Sequence, residues 1–384
     1  WITNKSLRRI ITKVMKNIID YFNTTKDKDF IDCRITSLRD YFGYNNLNLD
    51  SYDIFVLGRV IGCGLFKFRL KEDNPLELCL LGGSKLEIEQ DLFDFLGIKY
   101  VHKHFSDDIR SEIKDYIDNG QPIIARFDIR YVFNPNIIKK KFDVHCISST
   151  LICGYDFDED YLYIELKEKR SRPLKKVKIS DFEQAISSQT FPLEVNRSYF
   201  TVEIEASKAE EITYNRNELL RNAMKTTCET MLFGSEAILD NAYAYKDIKF
   251  GLSNLQEIIR INNELKQSLS NPKIASEIKL RLASLYSITM RDMMTPGSNY
   301  CFRKEFGETL INMSHKLHEK QLEKIGVQFK RISKLWRELT RTLSFENRRI
   351  NSENLSDYFD KVNNLIEEIY DQENTQFNKL YMLT

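Results

Sequence analysis

Seven cysteines (Cys33, Cys63, Cys79, Cys146, Cys153, Cys228 and Cys301) and five histidines (His102, His104, His145, His315 and His318) are the side chains best suited to nucleophilic or metal chemistry in this sequence. The cysteines include no CxxC pair, and an odd number this widely spread argues against a disulfide scaffold or a zinc ribbon. Cys33 stands apart. Asp32 is a helix-capping residue type, and Ile35, Leu38 and Phe42 follow at helical spacing, so Cys33 is expected in the first turn of a helix. There the free N–H groups and the helix dipole stabilise a thiolate and, later, an oxyanion. A thiol nucleophile needs a base. His145 opens the apolar run that leads to Gly154-Tyr155-Asp156, which puts it at the mouth of a strand, where a carboxylate on the next strand could aim the imidazole at a thiol. The structural alternative is a small buried thiol and a strand imidazole with no chemistry between them. His315 and His318 have helical spacing for two metal ligands but no third ligand nearby, and read as a solvated helix face. His102 and His104 flank Lys103 ahead of an acidic stretch and read as surface residues.

The elements that must position these residues fall into two kinds. Nine Gly and five Pro lie within the first 200 residues, and five Gly and two Pro beyond. The first part alternates short apolar runs with turn signals: Asn119 to Pro122 before Ile123 to Phe127, and Ile147 to Cys153 paired with Tyr161 to Leu166 across the acidic turn Asp156 to Asp160. A further strand is predicted over Tyr199 to Ile204, and helices over Cys33 to Tyr41, Lys85 to Leu96, Asp107 to Ile117 and Ile179 to Ile186. From about Ala206 the pattern becomes helical, with stripes at Leu252, Leu255, Ile258 and Ile259, at Ile274 to Leu285, and over Asp357 to Phe377. Leu7 to Phe22 reads as a basic amphipathic helix packed on its own domain. The expected domains are therefore residues 1–25, an N-terminal amphipathic helix; 26–205, α+β; and 206–384, all-helical.

Composition narrows the function classes. The chain has 384 residues, 57 Lys and Arg against 56 Asp and Glu, and a net charge of +1, so no chain-wide attraction to nucleic acid or acidic membrane is expected, although a local basic patch remains open. No apolar run is long enough for a membrane span and no signal peptide is recognisable, so no stable membrane insertion is expected. Unpaired cysteines fit reduced thiols and a cytoplasmic location.

The order Cys, His and then an acid on the following strand is that of papain-like thiol enzymes. The stretch Asp32-Cys33-Arg34-Ile35-Thr36-Ser37-Leu38-Arg39-Asp40-Tyr41-Phe42-Gly43-Tyr44 resembles the opening motif of the family of butirosin biosynthesis protein H, an acyltransferase with a papain-like domain. Gly62-Cys63-Gly64-Leu65-Phe66-Lys67-Phe68, Leu96-Gly97-Ile98, Gly120 through Asp128 and Cys153-Gly154-Tyr155-Asp156 follow in that family's order. Gly251 to Leu255 and Cys301 to Phe306 look like its companion helical domain. The resemblance covers residues 30–384 and implies an α+β fold, a papain-like cysteine protease domain followed by an all-helical domain.

The resemblance implies transfer of an acyl group from an acyl carrier protein bearing a phosphopantetheine thioester, through an acyl-cysteine, to a small amine or diamine acceptor in natural-product biosynthesis. A similar scaffold serves thiotemplated peptide assembly of the closthioamide type. It makes Cys33 the nucleophile, His145 the base and Glu165 the third member, with Asp156, Asp158 and Glu168 as fallbacks. No cofactor or metal is implied, because thioester aminolysis needs neither. Asp32 stands where the family commonly has His, and a carboxylate facing the thiol would raise its pKa. His145 lies nine residues before Gly154 rather than six or seven, which turns it to the opposite strand face unless a bulge intervenes; Ser148 occupies the ungapped position. Asp27 stands where a Gln would donate to the oxyanion, leaving the Cys33 N–H, with the loop around Gly62 and Gly64 as a second source. A cysteine peptidase or thioester hydrolase with the same Cys-His chemistry, and a non-catalytic binding module, are the competing readings.

Overall fold

Of the chain, the computed structural model describes residues 16–24, 31–69, 77–84, 87–132, 147–165, 174–188, 195–236, 249–271, 277, 279–280, 283–284, 286–287, 301–346 and 354–384. The strands are β1 (Lys16–Ile18), β2 (Ile61–Arg69), β3 (Glu77–Ser84), β4 (Lys99–His104), β5 (Ile123–Asp128), β6 (Ile147–Asp156), β7 (Tyr161–Ile164), β8 (Lys175–Lys178), β9 (Ser198–Glu203), β10 (Ser235–Glu236) and β11 (Lys249–Phe250). They form two antiparallel sheets, one in each of two compact units. The first unit comprises Trp1–Leu47 with Lys99–Ile204, and the second Asn48–Ile98 with Glu205–Thr384. Asn48–Ile98 thus groups with the C-terminal helices, not with the rest of the expected domain 26–205.

In the first unit the strand order is β4-β9-β5-β6-β7-β8. Strand alternation gives this sheet two unlike faces. Ile123, Ala125 and Phe127 of β5, Ile152 of β6 and Leu162 and Ile164 of β7 share one face. They bury against Ile109, Ile113 and Ile117 of the Ile109–Asp118 helix and Phe182, Ala185 and Ile186 of the Ile179–Ile186 helix. The Cys33–Tyr44 helix, which packs against β6, takes the other face. Its Tyr41 hydroxyl donates to the Val202 carbonyl and accepts from the Val202 N–H at 3.2 Å, and its Tyr44 hydroxyl donates to the Gly120 carbonyl.

The expected N-terminal helix needs correction. Residues 1–15 lie outside the described residues, and Lys16–Ile18 is a strand. Pairing of β5 with β6 reaches only Ile152, which leaves the next edge groups of β6 open; β1 takes them, with Ile18 opposite Gly154 and Lys16 opposite Asp156. Glycine is required there, because a Cβ at residue 154 would stand 2.6 Å from the Asn17 carbonyl oxygen.

The second unit is mainly helical, but not wholly: it holds a four-stranded sheet in the order β10-β11-β2-β3. Its helices include Ser51–Leu57, Ile88–Leu96, Arg216–Phe233, Ser253–Leu269, Arg303–Lys316, Lys320–Arg341 and Leu355–Tyr381. Phe306, Phe329 and Phe377 pack edge-on and stacked between the last three of these. The capping box of the Ser51–Leu57 helix, Asp50 with Asp53, binds Lys316 and Arg216, which ties residues 48–57 to the C-terminal helices. Among the described residues, no helix is long and apolar enough to cross a membrane.

Candidate functional site

Cys33 is the first residue of its helix, as its sequence context predicts. Asp32 is the N-cap, with extended backbone (φ −153°, ψ 155°), and its carboxylate accepts from the Arg34 N–H at 2.9 Å. The Asp32 carbonyl accepts from the Thr36 N–H at 2.9 Å and the Thr36 hydroxyl at 2.7 Å. Asp32 therefore places a negative charge at the helix terminus, where it opposes the dipole's stabilisation of a thiolate at the next residue. The Cys33 side chain, His145 and Glu168 lie outside the described residues.

Register shows what faces the helix. Tyr41 and Tyr44 anchor its C-terminal end at the level of Gly120 and Val202, where β5 begins and β9 ends. The helix packs against β6. On this side of the sheet stand Ile124 and Arg126 of β5, Ser149 and Leu151 of β6, and Phe200 of β9, because each pairs across from a residue of the same face. Arg126 is buried with its guanidinium over the Phe200 ring at 5.0 Å. On the helix, Thr36, Ser37 and Asp40 are buried as well. The hydroxyls of Ser37 and Ser149 are buried and have no hydrogen-bond partner among the described residues. The apolar face carries the core; the helix face carries a buried polar seam, which is costly unless used.

Glu165 belongs to this seam. It follows β7, its N–H donates to the Leu151 carbonyl at 2.8 Å, and its carbonyl accepts from the Thr150 hydroxyl at 2.6 Å. Ile164 faces the apolar core, so alternation turns Glu165, which is 5% exposed, to the helix side. Tyr21, whose ring packs edge-on to Tyr44 of the helix, has its hydroxyl pKa raised by burial first and then by the charges of Asp40 and Glu165. The β6–β7 register shifts between Ile152 and Gly154. On the N-terminal side of that shift Ser149 and Leu151 of β6 share the face of Glu165.

Asp156 pairs with Lys16 of β1 at 2.8 Å, which holds its carboxyl below the usual range. Asp158 is exposed in the hairpin turn. A carboxylate that sequence reading left unassigned is Asp128, wholly buried at the end of β5 opposite Ile147. It accepts from Arg130 Nε at 2.9 Å and from the Ser188 hydroxyl at 2.8 Å. The Asp128-Ile129-Arg130 spacing was its only local signal.

Gly62 and Gly64, read as a possible oxyanion loop, are instead inside β2 of the second unit. There the motif segments of the two halves meet. The Gly62 carbonyl accepts from Arg303 at 2.7 Å, and the Cys63 carbonyl accepts from the Asn254 amide at 2.7 Å and the Gly251 N–H at 3.0 Å. Burial pushes the Cys63 thiol up to about 12, which disfavours its thiolate. Of the remaining histidines, His315 and His318 are exposed and His104 Nδ1 meets the Asn196 carbonyl at 2.6 Å, whereas His102, expected at the surface, is half-buried and stacks on Phe200 at 4.4 Å on the helix side of the sheet. No group of three or more His, Cys, Asp or Glu among the described residues could hold a metal ion.

Residues 32–165 match the family model for the N-terminal part of butirosin biosynthesis protein H, a match that spans less than half of the chain. No curated protein matches the chain. Among solved structures, a C39-like peptidase from Bacillus anthracis is similar at 13% identity and a TM-score of 0.30, over 50% of this chain and 98% of that one.

Proposed function

We propose that this protein is an acyltransferase of the cysteine-protease type, which takes an acyl group from a carrier-protein thioester onto Cys33 and passes it to an amine. The observation that carries this reading is the placement of Cys33 at the N-terminus of a helix that packs on a sheet bearing the buried Arg126 and Ser149, within the segment that matches the butirosin biosynthesis protein H model. His145 is the base and Glu165 the carboxylate that orients it. In the first half-reaction His145 takes the Cys33 proton, the thiolate attacks the thioester carbon, and the carrier thiol leaves with that proton. In the second, the amine attacks the acyl-cysteine, loses a proton to His145, and Cys33 leaves as the thiol. The first step exchanges one thioester for another and is nearly isoenergetic; amide formation drives the second.

The register bears on the third member. Glu165 lies opposite Leu151, six residues along the sequence from His145. Asp128, opposite Ile147, is the second candidate for the same role on that register.

Alkylation of Cys33 as a function of pH tests the reading. The wild-type thiol reacts as a thiolate below its ordinary pKa of about 8.5, and His145→Ala abolishes that arm. Glu165→Gln shifts the profile, whereas an equal shift in Asp128→Asn alone transfers the role to Asp128. A thiol that titrates normally and is indifferent to His145→Ala supports the non-catalytic binding module. Turnover of the acyl-cysteine to free acid, unaffected by amine, supports the peptidase or thioester hydrolase.

A further inference from the structure

The Lys320–Arg341 helix of the second unit carries seven basic residues against two acidic ones, Glu323 and Glu338, in a chain whose net charge is +1. Its apolar side, including Leu322, Ile325, Phe329, Ile332, Trp336 and Leu339, is buried. Lys320, Lys324, Val327, Arg331, Lys334 and Arg341 follow one another by steps of three, four or seven residues, so they form one solvent-facing stripe along the helix. Among the described residues a carboxylate pairs with it only at its C-terminal end. Lys330, off the stripe, pairs with Glu308 at 3.6 Å and Arg341 with Glu338 at 3.7 Å, but Lys320, Lys324 and Lys334 make no ion pair among the described residues. Lys320 and Lys324 also occupy the first turns, where the helix dipole disfavours cations. That local choice works against the helix itself, as residues retained for a partner do.

Beside the N-terminal half of the stripe lies a groove of about 550 Å³, lined by Gln321, Lys324, Ile325, Gln328, Lys379 and Met382 among others. Met382 is 83% exposed and Val327 38%. We propose that this helix face and groove dock an acidic protein, a partner helix laying carboxylates along the stripe and an apolar side chain against Ile325 and Met382. Charge complementarity selects the sign of the partner. The apolar floor of the groove selects a protein, since a nucleic-acid backbone offers phosphates and sugars to the cations and little apolar surface to bury. A membrane plane would call for large apolar side chains along the stripe, which has only Val327. The identification of the partner as the carrier that delivers the thioester rests on the proposed function; the docking surface does not.

The test compares the full chain with the Lys324→Glu/Lys334→Glu variant, after thermal unfolding shows that both fold alike. Two donors bear the same acyl group: an acyl carrier protein, and N-acetylcysteamine, which presents no protein surface. The variant is expected to lose tenfold or more in kcat/KM with the carrier-bound donor and to become insensitive to salt there, while staying within twofold of wild type with the small thioester. Equal effects on both donors, or none on either, overturn the proposal. If neither donor acylates the protein, the functional reading fails, and docking is read from fluorescence anisotropy of the labelled carrier protein. Binding that weakens with salt and with charge reversal sustains the docking proposal. No binding, or tighter binding to a DNA duplex or to phosphatidylglycerol vesicles, overturns it.

Discussion

Arg303 is wholly buried in the second unit, and removing its counterion should be the most damaging single charge change there. Glu373, equally buried, takes Arg303 Nε at 2.7 Å on one oxygen and a terminal nitrogen at 2.8 Å on the other. The other terminal nitrogen donates to the carbonyls of Gly62, Gly83 and Cys301 at 2.7, 3.0 and 2.9 Å. Trp336 Nε1 donates to Glu373 at 2.6 Å, and the guanidinium lies 5.0 Å from the Trp336 ring. Glu373→Gln keeps the shape and leaves a cation surrounded by carbonyl dipoles without a counterion. Breaking a buried pair in this way is expected to destabilise by about 3–5 kcal/mol. For a unit of this size that is a fall in Tm of roughly 6–20 °C, at about 2–4 °C per kcal/mol. Urea and thermal unfolding, followed by Trp fluorescence and circular dichroism, measure it. The double variant Arg303→Met/Glu373→Leu should recover much of the loss, because it removes both charges. A Glu373→Gln protein within 1 kcal/mol of wild type would refute the reasoning, since the guanidinium would then need no counterion.

Three further outcomes follow from other particulars. Gly154→Ala should detach β1, because the new Cβ meets the Asn17 carbonyl oxygen at 2.6 Å and Ile18 Cα at 2.9 Å; hydrogen exchange at Ile19, whose N–H donates to the Cys153 carbonyl at 2.9 Å, should lose its protection while the rest of the sheet keeps it. The Lys16–Asp156 pair should give β1 an acid-sensitive anchor: the Asp156 carboxyl lies below its ordinary 3.8, so its contribution is present above that pH and is lost as pH falls through the lower folded value. Lys16→Gln should remove this dependence of β1 protection on pH. Asp32→Asn keeps a capping side chain but removes a negative charge beside Cys33, so the thiol pKa should fall and alkylation at pH 7 should rise by a factor of roughly 3–10, with less than about 1 kcal/mol lost in stability. An unchanged or slower alkylation rate would contradict the placement of the thiol at that terminus.

Local pattern was enough for most of the first unit. Asp32 is a capping residue, and the cap is formed; the acidic turn at residues 156–160 does join two antiparallel strands; the helix over Ile179–Ile186 matches its predicted limits. What pattern missed depends on partners distant in sequence. Nothing near residues 48–98 announces that Asp53 meets Arg216 and Lys316, or that Cys63 meets Asn254, so their grouping with the C-terminal helices was invisible. β1 is three residues long and exists because β6 extends past β5, a mismatch in length that no periodicity records. The bulge after Ile152 lies in a run whose strand is buried on both faces, so alternation could not mark it. Arg303, inside a charged helical sequence, reads as solvated until Glu373 and Trp336 are brought to it from 70 and 33 residues away. In the candidate site, the position of Cys33 in the first turn of a helix was legible, whereas the buried hydroxyls of Ser37 and Ser149 and the carboxylate of Asp128 emerge only from register.

The most direct test of the central claim is the intact mass of the protein after mixing with an acyl carrier-protein thioester, with Cys33→Ala alongside. An added mass equal to one acyl group, absent in Cys33→Ala and discharged as an amide when an amine is supplied, is the predicted result. No adduct with any of several acyl groups, or an adduct that persists in Cys33→Ala, would contradict the acyl-cysteine route.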